Sequence, residues 1–231
     1  MRFSEDLWEM LEHEASRQGT SAAQLIREAA ILRGAVLAAR RGDPALELTI
    51  DKLADRARAH GHAAREDGNV RDSQRLAAVH ATGLLDDGSD PCLDRLADAA
   101  RRVMNAPVAM ITLIDAERQY FVSAPGLREP WASRRQSPLS YSFCVDAAIC
   151  REPLVVSDAR LEPQLRGSPA IEEMDVVAYL GVPLITSEGH ALGALCVIDS
   201  QPRTWTRDQV ELTETLARAV LDHIVARAAS Q

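Results

Sequence analysis

The sequence predicts an α+β fold, in which an antiparallel sheet is flanked by helices and preceded by a small helical module. The clearest observation is a pair of apolar runs, residues 180–185 and 191–198, around a polar turn that contains Gly189. Short apolar runs on either side of such a turn are typical of a β-hairpin. Residues 108–115 and 119–123 repeat the pattern earlier in the chain. Helix caps before and after these strand pairs indicate the helical part of the fold.

Residues 1–41 form the first predicted module, a helical hairpin. Ser4 is a suitable N-cap for a first helix, and Gly19 is a natural stop for it. Ser21 and Gln24 then form a capping box at the start of a second helix. A segment of about 40 residues buries too little apolar surface alone, so we expect it to pair with a second copy in a homodimer.

A polar helical linker is predicted at residues 42–71, and a second domain at residues 72–231. The predicted elements of that domain, besides the two strand pairs, are helices at 72–85 and 90–105, a strand at 154–156 and a final helix that begins at Thr206. Asp90 followed by a proline marks the second of these helices, and Thr206 with Gln209 forms a capping box at the last.

Charge and composition narrow the class of function. The chain has 231 residues and a net charge of −8, so no overall basic field draws it to nucleic acid or acidic lipid. No apolar stretch approaches the roughly 20 residues that span a bilayer, so we expect a cytoplasmic protein without a membrane partner. The four cysteines, Cys92, Cys144, Cys150 and Cys196, lack the spacing of metal ligands, so we expect reduced thiols and no metal.

An ordered set of short motifs between Arg75 and Val220 resembles a GAF domain. The motifs are Arg75-Leu76, Gly83-Leu84-Leu85-Asp86, Pro107-Val108-Ala109, Leu113-Ile114-Asp115, Arg118-Gln119-Tyr120-Phe121, Ser142-Phe143-Cys144, Glu152 to Asp158, and the hairpin. The resemblance implies an antiparallel sheet covered by helices, with a pocket for a small molecule beside the sheet. It also implies signalling or sensing, because GAF modules mostly detect small molecules or redox state.

By the same resemblance, seven residues are expected to line the ligand pocket: Phe121, Ser142, Phe143, Cys144, Asp158, Tyr179 and Leu195. Aromatic side chains concentrate in this region and provide rigid apolar contact for a ligand. The alternative is that they only fill the core of a small sheet domain. The ligand itself is not identified, and no cofactor is indicated, since the motifs for haem, bilin and cyclic-nucleotide binding are absent.

Cys144 and Cys196 are candidates for a thiol switch. A reactive cysteine needs exposure and a lowered pKa, which basic neighbours usually provide. No basic residue adjoins either cysteine in sequence, so both are also candidates for small buried hydrophobic residues.

The first 41 residues resemble a ribbon-helix-helix DNA-binding domain, through Phe3-Ser4-Glu5-Asp6-Leu7, Gly19-Thr20-Ser21 and Leu25-Ile26-Arg27-Glu28-Ala29. The resemblance implies that two chains pair their first strands and place Arg2 in the major groove. Thr20 and Ser21 would meet a phosphate at a helix N-terminus, with Arg27 nearby. Only three residues precede Ser4, which leaves open a start upstream of Met1 or a module that retains only dimerisation.

These features favour a dimeric cytoplasmic sensor that regulates transcription, in which a small-molecule or redox signal alters binding to double-stranded DNA. We expect no enzymatic activity from this arrangement, since no paired nucleophile and base is visible. Two alternatives stay open. One is an enzyme resembling the GAF-type methionine sulfoxide reductases, whose cysteine spacing differs from this chain, and the other is a dimeric signalling protein that binds another regulator instead of DNA.

Overall fold

The computed structural model describes residues 70–85, 90–162 and 164–229, together with Met10, His13, Glu14 and Arg33. The chain divides into two compact units, Met1–His62 and Ala63–Gln231, and the helices and strands named below belong to the second. Among them, no helix has the length and apolar character needed to cross a bilayer. Apart from isolated positions, the predicted modules at residues 1–41 and 42–71 lie outside the described part of the chain, and the domain boundaries stay a prediction.

Six helices, one 3-10 turn and six strands make up this unit within the described residues. In chain order they are α1 Ser73–Ala81, α2 Pro91–Val103, β1 Val108–Ile114, β2 Arg118–Ser123, α3 Trp131–Arg134, β3 Gln136–Pro138, the 3-10 turn Leu139–Tyr141, α4 Phe143–Cys150, β4 Leu154–Val156, α5 Ala170–Glu173, β5 Ala178–Ile185, β6 Ala191–Asp199 and α6 Arg207–Ala228.

The six strands form one antiparallel sheet in the order β3-β2-β1-β6-β5-β4. The predicted C-terminal hairpin is β5 and β6, which pair from Ala178↔Asp199 to Ile185↔Ala191. Its second strand also pairs with β1, so β6 lies at the centre of the sheet. This confirms the predicted α+β class with an antiparallel sheet flanked by helices.

The two faces of the sheet carry separate cores, because successive side chains of a strand point to opposite sides. Leu195 and Val197 of β6 lie in a core that also contains Val220 and Ile224 of α6, with residues of α1 and α2. Cys196, between them, lies in the core on the other face, which α4 and the segments around residues 124–143 and 157–177 cover. The sheet is therefore the middle of three layers.

Local signals place the helices where the sequence predicts them. The Asp90 carboxylate accepts hydrogen bonds from the backbone of Cys92 and Leu93 and begins α2, and Thr206 with Gln209 forms the predicted capping box of α6. The first helix ends at Ala81, about four residues before its predicted end. It stops there because the Thr82 hydroxyl bonds back to a carbonyl of the last turn and Gly83 has a φ of +62°.

Candidate functional site

A small cavity lies between the sheet and α4. Its lining comprises Met110, Gln119, Ser137, Tyr141, Phe143, Cys144, Met174, Val176, Tyr179 and Ile198. The cavity volume is about 10 Å³, which is close to the space that a single water needs. Pockets for drug-sized ligands are usually about 300–1,000 Å³, so a large molecule could enter only after the surrounding segments move.

Strand periodicity brings five of these residues together from five different strands. Met110, Gln119, Ser137, Tyr179 and Ile198 come from β1, β2, β3, β5 and β6, and each points to the face of the sheet that α4 covers. Gln119 and Ser137 are direct cross-strand partners, which places their polar side chains next to each other. Polar groups therefore meet at one spot on an otherwise apolar face.

The start of α4 supplies the opposite wall. Ser142 caps this helix, because its hydroxyl oxygen accepts a hydrogen bond of 3.2 Å from the Val145 backbone. Phe143 and Cys144 then occupy the first turn and face the sheet. The rings of Phe143 and Tyr179 meet edge to face with their centroids 5.4 Å apart, a favourable arrangement for two aromatic rings.

The ring of Tyr179 packs against its own strand. Its ring lies over Gly181, where an added Cβ atom would approach the tyrosine oxygen to 2.1 Å. Only a residue without a side chain allows the ring to occupy this space. As a result the hydroxyl group reaches across to α4, where Tyr179 Oη donates a hydrogen bond of 3.2 Å to the Cys144 sulfur.

Cys144 is the point on which several donors converge. Gln119 Nε2 donates to its sulfur at 3.4 Å, and the sulfur of Cys196 lies 3.7 Å away. The hydrogen bond with Cys196 lowers the pKa of the Cys144 thiol against the opposing effect of burial, and bonds from Thr112 and Tyr179 lower it further. The first turn of a helix also favours a thiolate. The contact between the two sulfurs acts oppositely on Cys196, whose pKa is raised by its bond with Cys144 and by burial.

One polar group on the cavity wall lacks a partner. Ser137 is 3% exposed, and its hydroxyl oxygen makes no hydrogen bond to any group in the described segments. A buried hydroxyl without a partner costs about 1–3 kcal/mol, so a polar molecule in the cavity would stabilise this side chain.

The seven residues predicted for the pocket fall into two groups. Phe143, Cys144 and Tyr179 are among the lining residues of the cavity. Of the other four, Ser142 caps α4, Phe121 is packed in the same core, Leu195 lies in the core on the opposite face, and Asp158 forms an ion pair with Arg160. Leu195 is a correction to the sequence prediction, because its strand position points it toward the helices. Binding of a ligand by this set remains a prediction.

The proposed DNA-contacting residues, Arg2, Thr20, Ser21 and Arg27, lie outside the described residues. Neither the fold nor the comparisons with known proteins support the DNA-binding interpretation, and it stays a prediction. No group of three or more His, Cys, Asp or Glu side chains suited to a metal occurs in the described segments.

Comparison with known proteins identifies the fold. A model of the GAF domain family matches residues 89–222. The GAF domain of a phosphoenolpyruvate-protein phosphotransferase from Coxiella burnetii is similar in structure, with a TM-score of 0.53 and 18% identity over 68% of this chain and 94% of that one. A free methionine-R-sulfoxide reductase from Neisseria meningitidis has a TM-score of 0.50 and 15% identity over 65% of this chain and 87% of that one. At these identities the likeness concerns the fold alone.

A curated relative is more similar in sequence. A cyclic di-GMP phosphodiesterase from Pseudomonas aeruginosa is 37% identical over 152 residues, which are 65% of this chain and 25% of that protein. The chain thus spans about a quarter of the relative's length. The relative's name overturns the prediction that this chain is not an enzyme, since the matching protein is named for an enzymatic activity. The match of the family model over most of the second unit settles the family: the chain belongs to the GAF domain family and is a GAF-domain signalling protein.

Proposed function

We propose that this chain is a GAF sensor in cyclic di-GMP signalling, where it sets phosphodiesterase activity in response to a small signal molecule or to redox state. The observation that carries the proposal is the 37% identity over 152 residues to a cyclic di-GMP phosphodiesterase. This identity is well above the 18% and 15% that the chain shares with the two solved structures named above.

The cavity is the proposed site of detection. It combines an apolar wall from Phe143, Met174 and Val176 with polar groups from Gln119 and Ser137. Such a mixture of apolar surface and a few convergent polar groups is typical of small-molecule sites. The size of the cavity favours a signal molecule not much larger than water, or a larger ligand that displaces the side chain of Met174 and its neighbours.

Cellular cyclic di-GMP is the measurement that tests this function. Deleting the gene in the source organism should raise the cyclic di-GMP level, because phosphodiesterase activity is lost, and the full chain should restore it. Tyr179→Phe, which removes one hydroxyl from the cavity, should restore it poorly. Tyr120→Phe removes a hydroxyl on the opposite face of the same sheet and is the matched control.

A parallel assay follows hydrolysis of cyclic di-GMP by the purified full chain. Hydrolysis would place the activity in this chain itself and support the proposal directly. An unchanged cellular level after deletion, together with no hydrolysis by the purified chain, would overturn it. The predicted homodimer is tested separately by light scattering on the same sample.

A further inference from the structure

We propose that Cys144 and Cys196 form a reversible disulfide when a hydroperoxide enters the cavity. The proposal does not depend on cyclic di-GMP, because it concerns chemistry at two sulfur atoms that the fold places together. Both cysteines are free thiols, 52 residues apart in sequence, and their sulfurs lie 3.7 Å apart in the buried layer between α4 and β6.

The geometry requires only a small movement. A disulfide has an S–S length of about 2.05 Å, so the two sulfurs must approach each other by about 1.7 Å. Cys144 is in the first turn of α4, which packs directly on β1, β5 and β6. A rotation of the side chains and a slight shift of one helical turn toward the sheet can supply this distance.

The oxidant is inferred from the cavity. Cys144 is on the cavity wall, whereas Cys196 lies behind it and is not among the lining residues. Hydrogen peroxide is one oxygen atom larger than water, and the cavity has room for about one water-sized molecule. Flexible Met174 on the wall can yield the remaining space. Ser137, whose hydroxyl has no partner among the described groups, would bind a peroxide oxygen.

The donors around Cys144 make it the attacking sulfur. Tyr179 Oη and Gln119 Nε2 donate to its sulfur. The Cys196 sulfur, 3.7 Å away, accepts from the Cys144 thiol and becomes a donor once Cys144 loses its proton, so all three groups favour the thiolate. These groups are neutral, and they come from three different strands. They perform the stabilisation that basic neighbours provide at other reactive cysteines.

The reaction balances in two steps. The Cys144 thiolate attacks one peroxide oxygen, the O–O bond breaks, and the second oxygen leaves as hydroxide, which takes up a proton to become water. Cys144 is then a sulfenic acid. The Cys196 sulfur attacks the Cys144 sulfur, an S–S bond forms as the S–O bond breaks, and the oxygen leaves as water with the proton of Cys196. Two thiols are oxidised and one peroxide is reduced to two waters, and a dithiol reductant reverses the change.

The test uses the full wild-type chain and hydrogen peroxide as the probe. After exposure to about one equivalent, the chain is denatured in an alkylating reagent, digested and analysed by mass spectrometry. We expect a peptide pair that is joined through Cys144 and Cys196, has lost two hydrogen atoms and disappears after treatment with dithiothreitol. The double variant Cys92→Ala/Cys150→Ala keeps the buried pair and should give the same product.

Two single variants separate the roles of the sulfurs. Cys196→Ser should leave Cys144 as a sulfenic acid that dimedone traps, and Cys144→Ser should leave Cys196 reduced. The proposal is overturned if Cys144 and Cys196 stay reduced while exposed Cys150 is oxidised, or if Cys144 becomes sulfinic acid without joining Cys196. The disulfide is mapped by mass spectrometry on the wild-type chain, which needs no substitution. The proposal can therefore be tested even if a variant fails to fold.

Discussion

Replacement of Asp90 by alanine should destabilise the GAF fold on the side away from the cavity. The Asp90 carboxylate is 8% exposed and accepts hydrogen bonds from the Cys92 and Leu93 backbone at 2.8 and 3.1 Å. It also lies 3.1 Å from His223 Nε2 and 3.3 Å from Arg227 Nη1, both on α6. A single side chain thus caps α2 and joins it to α6.

The expected loss is the sum of two contributions. Removing a helix N-cap costs about 1 kcal/mol. Hydrogen bonds to a charged group contribute about 1.5–3 kcal/mol, and the lower end applies because His223 and Arg227 are about one-third exposed. Asp90→Ala should therefore lower the free energy of unfolding by about 2–3 kcal/mol at pH 7, measured by urea denaturation with an unchanged m-value.

The effect of Asp90→Ala should depend on pH in a defined direction. Burial acts to raise the pKa of Asp90, but the hydrogen bonds from His223, Leu93 and Cys92 together lower it below its ordinary value. A carboxylate with a depressed pKa stabilises the fold above its unfolded pKa of about 3.9 and loses this contribution as the pH falls through its folded pKa. The difference between wild type and variant should accordingly shrink as the pH falls below about 4.

Asp98→Ala is the matched control, because Asp98 is a residue of the same helix whose side chain is 30% exposed and whose ion pairs, among the described residues, are to its neighbours Arg101 and Arg102. It should leave the unfolding midpoint nearly unchanged. A loss below about 0.5 kcal/mol for Asp90→Ala, or a difference from wild type that persists undiminished below pH 4, would refute the reasoning.

Three further substitutions test other contacts by urea denaturation at pH 7. Arg75→Met should cost about 3 kcal/mol, because the buried guanidinium donates to three backbone carbonyl groups that would lose their donor. Gly181→Ala should cost about 1–3 kcal/mol, since its Cβ atom would force the Tyr179 ring aside. Trp205→Phe should cost about 1–2 kcal/mol, because the indole N–H donates to the Val156 carbonyl at 3.0 Å. A cost below about 0.5 kcal/mol in any of them would contradict the assigned contact.

The elements of the fold that could be predicted from sequence are those specified by adjacent residues. The caps at Asp90 and Thr206 and the turn at Gly189 act within four residues along the chain, so sequence alone locates α2, α6 and the β5–β6 hairpin. The end of α1 was misplaced because the Thr82 hydroxyl competes for a helical carbonyl. That contact is local as well. However, a threonine within a helical sequence pattern does not indicate which backbone carbonyl its hydroxyl will bond.

The candidate site was only partly predictable because it is assembled across strands. Ser137, Gln119 and Met110 lie on three strands and carry no shared motif, and they meet only through the pairing register of the sheet. Strand alternation was the one available signal, since it separates Leu195 from Cys196. The donors around Cys144 could not be found from its sequence neighbours, because Tyr179, which donates to its sulfur, is 35 residues away.

The position of β6 connects the sulfur pair to the helical layer, which leads to a last prediction. Cys196 faces the cavity, while its neighbours Leu195 and Val197 pack in the same core as Val220 and Ile224 of α6. Successive side chains of β6 point to opposite faces of the sheet. A movement of Cys196 toward α4 on disulfide formation must therefore also shift Leu195 and Val197, which pack against α6. Peroxide oxidation should therefore change amide hydrogen exchange along α6 as well as in α4.

This coupling is measured by hydrogen exchange with mass spectrometry on the reduced and oxidised full chain. Cys196→Ser cannot form the bond, so exchange in α6 should be the same before and after peroxide. If the oxidised wild-type chain shows altered exchange in α4 alone, the disulfide acts locally and the sheet does not transmit it. A change in α6 that appears only when both sulfurs are present would instead show that oxidation at the cavity alters the opposite surface of the GAF domain. Strand β6 would carry this coupling, because it is the buried element that both sides of the sheet share.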